Sequence, residues 1–447
     1  MTDRAPGAVA ARARHLLPAF LLVFATAGTA DRTALPAAPA SPADPSPDRP
    51  KAIAGWMESG QWQRAESALR SWIDESDNAV ARDLLGVVLF RTGRLEQAEE
   101  ELRKALALDP GKPSASRHLA RLYLSRGAET EALPHLRAGA KGGGMERDLV
   151  LKLASLETAA GNFSAAAIQY ELAAREFSSV RALLALARVR SRLGDSSAAL
   201  DALERARTLA PSSEEVLSSF GRASLAARAP TPALLAFEPL VRMHPQDPEY
   251  VYLLGVARMQ VGDMAGARES LESSVALDPR RPLPRIALGL ALNDLKRYDE
   301  AAEALERALL LEPENLEGRA ALAEAVEGRG DVDEAITRAR AVLADSPTHP
   351  TANLVLGKAL LKQERYEEAR RALERALESQ APAAKVHYQL SLVLARLGDR
   401  EASEGHRRLY RQALEEIEGR LQELRRPGPP RDSATSPEGE APAGGAP

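Results

Sequence analysis

The sequence contains no cysteine. Disulfides, thiolate metal sites, a cysteine nucleophile and a cysteine-linked lipid anchor are thereby excluded, and the redox compartment is left open. Aromatic residues make up only 4% of 447 positions, too few for a strand-rich fold or a base-stacking surface. Neither sign of charge dominates, with 59 Lys and Arg against 63 Asp and Glu. A net charge of -4 leaves no electrostatic footprint for a nucleic-acid partner. The apolar run from Leu16 to Ala27 is about 12 residues, short of the ~20 that a helix needs to cross a bilayer.

What is present at the N-terminus has a definite order. Arg4, Arg12 and Arg14 precede that apolar run, and small residues close it at Ala25, Ala27, Gly28 and Ala30. A basic start, a short apolar core and a small-residue end describe a secretory signal peptide over residues 1–30, with cleavage after Ala27 or Ala30 and Ala30 preferred. The expectation is a periplasmic or secreted protein of a bacterial cell envelope. The alternative is a cytoplasmic adaptor, or a co-chaperone-like repeat protein, that keeps its N-terminus. Membrane association is expected only if the segment is retained. No paired arginines precede the run, so a twin-arginine signal is not supported. Residues 31–45 carry Pro36, Pro39, Pro42 and Pro45, with Pro47 and Pro50 just beyond, and read as a Pro-rich linker. Residues 426–447 are Pro- and Gly-rich in the same way and read as a disordered tail.

Between these ends the chain repeats itself. Pro211, Pro245, Pro279, Pro313 and Pro347 fall at successive intervals of 34. Leu85–Gly86, Phe220–Gly221, Leu254–Gly255, Leu288–Gly289 and Leu356–Gly357 occupy one pair of positions in the same register. Leu119–Ala120, Leu153–Ala154, Leu186–Ala187 and Leu322–Ala323 fill that pair with alanine for glycine. An alanine follows twelve residues later, from Ala98 to Ala369, and a glycine recurs between at Gly93, Gly127, Gly161, Gly194, Gly262 and Gly330. Apolar residues three and four apart make two amphipathic helices per unit. The glycine supplies the left-handed backbone that ends the first helix. Small residues let the two axes approach, and the proline stops the second helix.

This pattern resembles the tetratricopeptide repeat family, most clearly in residues 282–315 with Leu288, Gly289, Leu292, Tyr298, Ala301, Leu305, Ala308 and Pro313. The resemblance implies an all-α, right-handed α-solenoid of about ten two-helix units over residues 46–383. A partial repeat and capping helix are expected over 384–425. Single units bury too little to stand alone, so they must stack and their ends must be covered. Trp56, Trp62 and Trp72 all fall in the first unit and are expected to cover one end. The glycine-rich stretch 138–144 and Pro230, Pro232 and Pro239 break the pattern, which predicts a bend near 138–146 and a kink near 239.

Catalytic signatures are missing. No H-E-x-x-H, phosphate-binding glycine loop or G-x-S-x-G occurs, and the seven histidines form no i, i+4 pair. Acidic residues mostly sit beside arginine on exposed helical faces, as in Glu303–Arg307. A non-catalytic interaction scaffold is expected, for an envelope, secretion or polysaccharide-export assembly. Its partners are proteins or peptides, with no nucleic acid, small-molecule substrate, metal or cofactor. The resemblance places partners in a concave groove lined by first helices. Carried onto this chain, the groove positions are Arg117, Arg121, Arg181, Arg188, Arg192 and Arg222, then Tyr252, Val256, Met259, Ile286 and Leu290, then Glu317, Glu324 and Glu327. It would run basic, then apolar, then acidic. The family's carboxylate clamp uses Lys and Asn where this chain has Arg117 and Arg121 and no matching asparagine, so a chaperone-tail receptor is not expected.

Overall fold

A computed structural model describes residues 49–379 and 381–425. The expected signal segment 1–30, linker 31–45 and tail 426–447 lie outside the described residues. Among those described, every regular element is a helix. The first three pairs are α1 (Arg49–Glu58) with α2 (Trp62–Glu75), α3 (Ala79–Arg91) with α4 (Leu95–Leu108), and α5 (Pro113–Ser125) with α6 (Glu129–Ala140). Next come α7 (Arg147–Ala159) with α8 (Phe163–Phe177), α9 (Val180–Arg192) with α10 (Ser196–Leu209), and α11 (Glu214–Ala226) with α12 (Pro230–Met243). The following pairs are α13 (Pro248–Gln260) with α14 (Met264–Leu277), α15 (Pro282–Asp294) with α16 (Tyr298–Leu309), and α17 (Leu316–Arg329) with α18 (Val332–Asp345). The last are α19 (Pro350–Lys362) with α20 (Tyr366–Glu378), and α21 (Ala383–Leu397) with α22 (Arg400–Arg425). Pro50 therefore belongs to the first turn of α1, where a proline loses no intrahelical bond. None of these helices is long and apolar enough to cross a membrane.

Each helix packs on the next along the chain, which makes the molecule an α-solenoid. Starts are capped locally: Asn78, Ser179, Asp247 and Asn315 each accept a bond from an amide of the following turn. Inside each pair, the small residue of the first helix meets a large one from the second. A Cβ added at Gly289 would lie 2.4 Å from Leu305 Cγ, and one at Gly86 would lie 2.5 Å from Leu102 Cγ. The hydrophobic core runs through the stack as adjoining clusters. At its near end Trp56, Trp62 and Trp72 are half-buried against the first cluster, with Arg64 over the Trp56 ring at 4.5 Å. At the far end α22 lies along α21, joined by a buried bond from Ser403 Oγ to the Ser391 carbonyl of 2.8 Å.

The turns between paired helices hold a left-handed residue throughout. Gly60 and Gly398 extend the glycine series at the two ends, whereas Arg228, Lys296 and Glu364 stand in for glycine with φ of 53°, 60° and 61°. A side chain in that region costs about 1 kcal/mol or more. Arg228→Gly, Lys296→Gly and Glu364→Gly are each expected to raise stability by about 0.5–1 kcal/mol, once the greater freedom of glycine in the unfolded chain is deducted. Thermal unfolding of the triple variant checks this, and the gains should add because the sites are well separated.

The expected kink at 239 does not break its element. The helix α12 runs unbroken through Pro239, and the carbonyl that proline leaves unbonded belongs to the exposed Leu235, where solvent can reach it. Near 138–146 the chain is looser. The helix α6 continues past Gly139 to Ala140, Gly143 and Gly144 turn the chain with positive φ, and α6 and α7 pack more sparsely than other consecutive helices.

Candidate functional site: the inner wall

First helices of consecutive units touch directly at α3–α5 and again from α11 through α21, while no two second helices approach as closely. The stack therefore curves with its first helices inside. Along this inner wall α5, α7, α9 and α11 stand further apart than α15, α17 and α19 do. The wall is open from α5 to α11 and drawn together most closely from α15 to α19.

Where the open stretch begins, a cleft of about 340 Å³ lies between α3, α5 and α7. Val87, Phe90 and Leu149 give it an apolar floor, and Arg91, Arg121 and Glu146 stand at its rim. Arg121 pairs with Glu146 at 2.8 Å. Burial opposes ionisation of Glu146, but bonding to its own backbone amide and the Arg121 charge outweigh it and hold the carboxyl below its ordinary range. Next to the cleft, buried Asp83 accepts Ser114 Oγ at 2.6 Å and faces His118 Nδ1 at 2.7 Å. The carboxylate is the hub of this trio. Serine and histidine each bond to it rather than to one another, which differs from the serine–histidine pairing of an activated nucleophile.

Arg117 is not free for a partner. Its guanidinium donates to the carbonyls of Gly143 at 3.0 Å and Gly144 at 2.8 Å. Its stem fills the space where Gly139 lacks a Cβ, since one added there would lie 2.5 Å from Arg117 Cγ. Arg117 thus stitches the loose connection between α6 and α7. Arg181 and Arg188 are exposed and carry no ion pair among the described residues. The Arg192 guanidinium lies 5.5 Å from the Phe163 ring centroid. Arg222 pairs with Glu249 at 3.1 Å, and Glu249 also takes Arg281.

Further along, the apolar strip is largely packing between units. Ile286 is 5% exposed and belongs to the core, where its Cδ1 faces Gly318 of the next unit, so it is unavailable to a partner. Met259 and Leu290 pack against the same cluster. Tyr252 and Val256 remain half-open, with Arg281 over the Tyr252 ring at 5.9 Å. Burial, aided by Glu249, pushes the Tyr252 hydroxyl above its ordinary value.

The acidic end is not an open acidic surface either. Glu327 is 2% exposed, and its carboxylate is held by Lys362 at 2.6 Å and by Lys358. Burial raises the Glu324 carboxyl against the charges of Lys385 and Lys358. Lys385 also reaches Asp294 at 3.0 Å, 91 positions earlier. Glu317 is exposed, 3.6 Å from His349 Nε2. The first helices are thus zipped here by lysines from later units. The Phe90 cleft escaped the sequence reading because its lining joins residues from three units.

Among the described residues no three His, Asp or Glu side chains gather in a set that could hold a metal ion. Models of the tetratricopeptide repeat match residues 57–113, 84–145, 218–282 and 286–350, and further models of the same repeat match 181–213 and 327–393. Among solved structures, a tetratricopeptide repeat protein from Parabacteroides merdae is 16% identical, covering 56% of this chain and 98% of its own at a TM-score of 0.47. A thermophilic repeat protein from Thermus thermophilus is 27% identical, covering 41% of this chain and 100% of its own at a TM-score of 0.34. The MamA protein is 22% identical, covering 37% of this chain and 90% of its own at a TM-score of 0.34. No curated protein matches this chain.

Proposed function

Because this chain belongs to the tetratricopeptide repeat family, we propose that it is an exported scaffold that grips a segment of a partner protein along the open stretch of its inner wall. The observation that carries this reading is the Phe90 cleft, an apolar recess on the inner wall rimmed by Arg91, Arg121 and Glu146. A recess of this size takes one large apolar side chain, and the charged groups around it fix the orientation of the backbone that brings it. The paired geometry of Asp83, Ser114 and His118 favours recognition over turnover. Export rests on the order of basic, apolar and small residues over 1–30, and suits a role in an envelope, secretion or polysaccharide-export assembly.

The test is affinity capture from the envelope fraction with wild type and with Val87→Arg, which fills the cleft and adds charge to its floor. Partners recovered by wild type should be depleted by about tenfold or more with the variant, because a bulky charge blocks an apolar anchor. An unchanged set of partners, with the variant equally folded by circular dichroism, would remove the cleft from the docking site. Mass spectrometry of the N-terminus should find Asp31 as the first residue. An intact Met1 on soluble protein favours a cytoplasmic adaptor instead.

A further inference from the structure

Helix α9 differs from its neighbours in charge. It carries Arg181, Arg188, Arg190 and Arg192 and no acidic residue. Several arginines on nearby helices are answered by carboxylates: Arg94 by Glu66, Arg126 by Glu99, Arg137 by Glu157, Arg205 by Glu171. On α9 the answer is incomplete. Arg190 reaches Asp195 at 3.7 Å, and Arg192 lies over Phe163. Arg181 and Arg188 have neither an ion pair nor a hydrogen bond among the described residues.

These two are seven residues apart, two helical turns, so they share one face about 10 Å apart along the axis. A polyproline-type extended segment turns once in three residues with a rise of about 3.1 Å, which brings every third side chain to one side about 9 Å apart. Arginine's planar fork binds carboxylate by two parallel bonds. We infer that the inner face of α9 seats an extended acidic segment of a partner protein, with carboxylates three residues apart on Arg181 and Arg188. The inference rests on the groove reading above and adds the chemistry of the occupant. The first helices on either side of α9 touch it less closely than α17 touches α15 and α19. A nucleic acid is the less suitable anion, because its phosphates recur more closely, at about 3.4 Å of axis per strand in a duplex, and the chain has few aromatics to stack bases.

The probe is a fluorescein-labelled peptide of repeating Glu-Pro-Pro, titrated with the full chain at low salt and followed by anisotropy. The expected result is binding that weakens with added salt and falls more than about tenfold in Arg181→Glu/Arg188→Glu. Arg190→Glu, on the opposite side of α9, should change it by less than about twofold. If the double charge reversal does not fold, Arg181→Gln/Arg188→Gln gives the same comparison. Equal binding by the double variant, or equal affinity for a Lys-Pro-Pro peptide, overturns the inference. So does tighter binding of a single-stranded oligonucleotide at the same site. Capture of partners separates the two levels. Partners lost with Val87→Arg but kept with the α9 double variant leave the groove reading standing and remove the acidic segment. Partners kept with both remove the groove as well.

Discussion

Gly289→Val is expected to destabilise the protein by about 3 kcal/mol or more, because overpacking a closed helix pair forces side chains off their rotamers. A Cβ at that position would lie 2.4 Å from Leu305 Cγ and 2.7 and 2.8 Å from its two methyl carbons. Leu305 is fully buried and cannot retreat. Either α15 and α16 separate or Leu305 leaves its rotamer, and in a stack both losses pass to the neighbouring units. The control is Leu305→Ala, which alone should cost about 2–5 kcal/mol by opening a cavity. In that background the valine should become far less damaging, since its branches enter the vacated space. Urea denaturation of the four proteins measures the coupling. Additive losses would mean that this contact is not the cause. The ninth unit already carries a small-on-small version of the pair, with Ala323 and Ala339 both fully buried in place of Gly289 and Leu305.

Replacing both lysines that hold Glu327, as Lys358→Met/Lys362→Met, is expected to cost about 3–5 kcal/mol by leaving a buried carboxylate uncompensated. Lys362 contributes two bonds, to the Glu327 carboxylate at 2.6 Å and to its backbone carbonyl at 3.0 Å. It is half-exposed, which puts the expected loss toward the lower end of that range. Adding Glu327→Leu should return most of the stability, because an apolar trio of similar volume needs no desolvation of charge. If the triple variant is no better than the double, the loss comes from the lysine stems packing on α17, not from the stranded charge. Denaturant midpoints of the three proteins distinguish these outcomes.

The fold was legible in the sequence because its determinants are local and recur. A small residue, a turn glycine and a closing proline each mark a backbone event that only a few residue types permit. Legibility failed where another residue type does the same work. Arg228, Lys296 and Glu364 hold the left-handed turn without being glycine, so no letter in the pattern announces them. For the site, spacing could assign side chains to the inner face but could not say what faces them. Glu327 reads as a groove carboxylate until its partners are found 31 and 35 positions on. Asp83 meets Ser114 and His118 at the same two offsets. An acidic residue followed at those distances by a donor is therefore the signal that would have separated zipped positions from open ones. Ile286 failed for a related reason, since its exposure depends on how closely α17 leans on α15, a property of curvature rather than of its own helix.

The bond from Lys385 back to Asp294 spans four consecutive pairs, whereas the N-terminal wall is joined only between adjacent pairs by the side-chain bonds described above. Mechanically, the molecule is a clip with one braced jaw and one sprung jaw. Raising the ionic strength should loosen the exposed Lys385–Asp294 brace more than the lysine contacts to the buried Glu327 carboxylate.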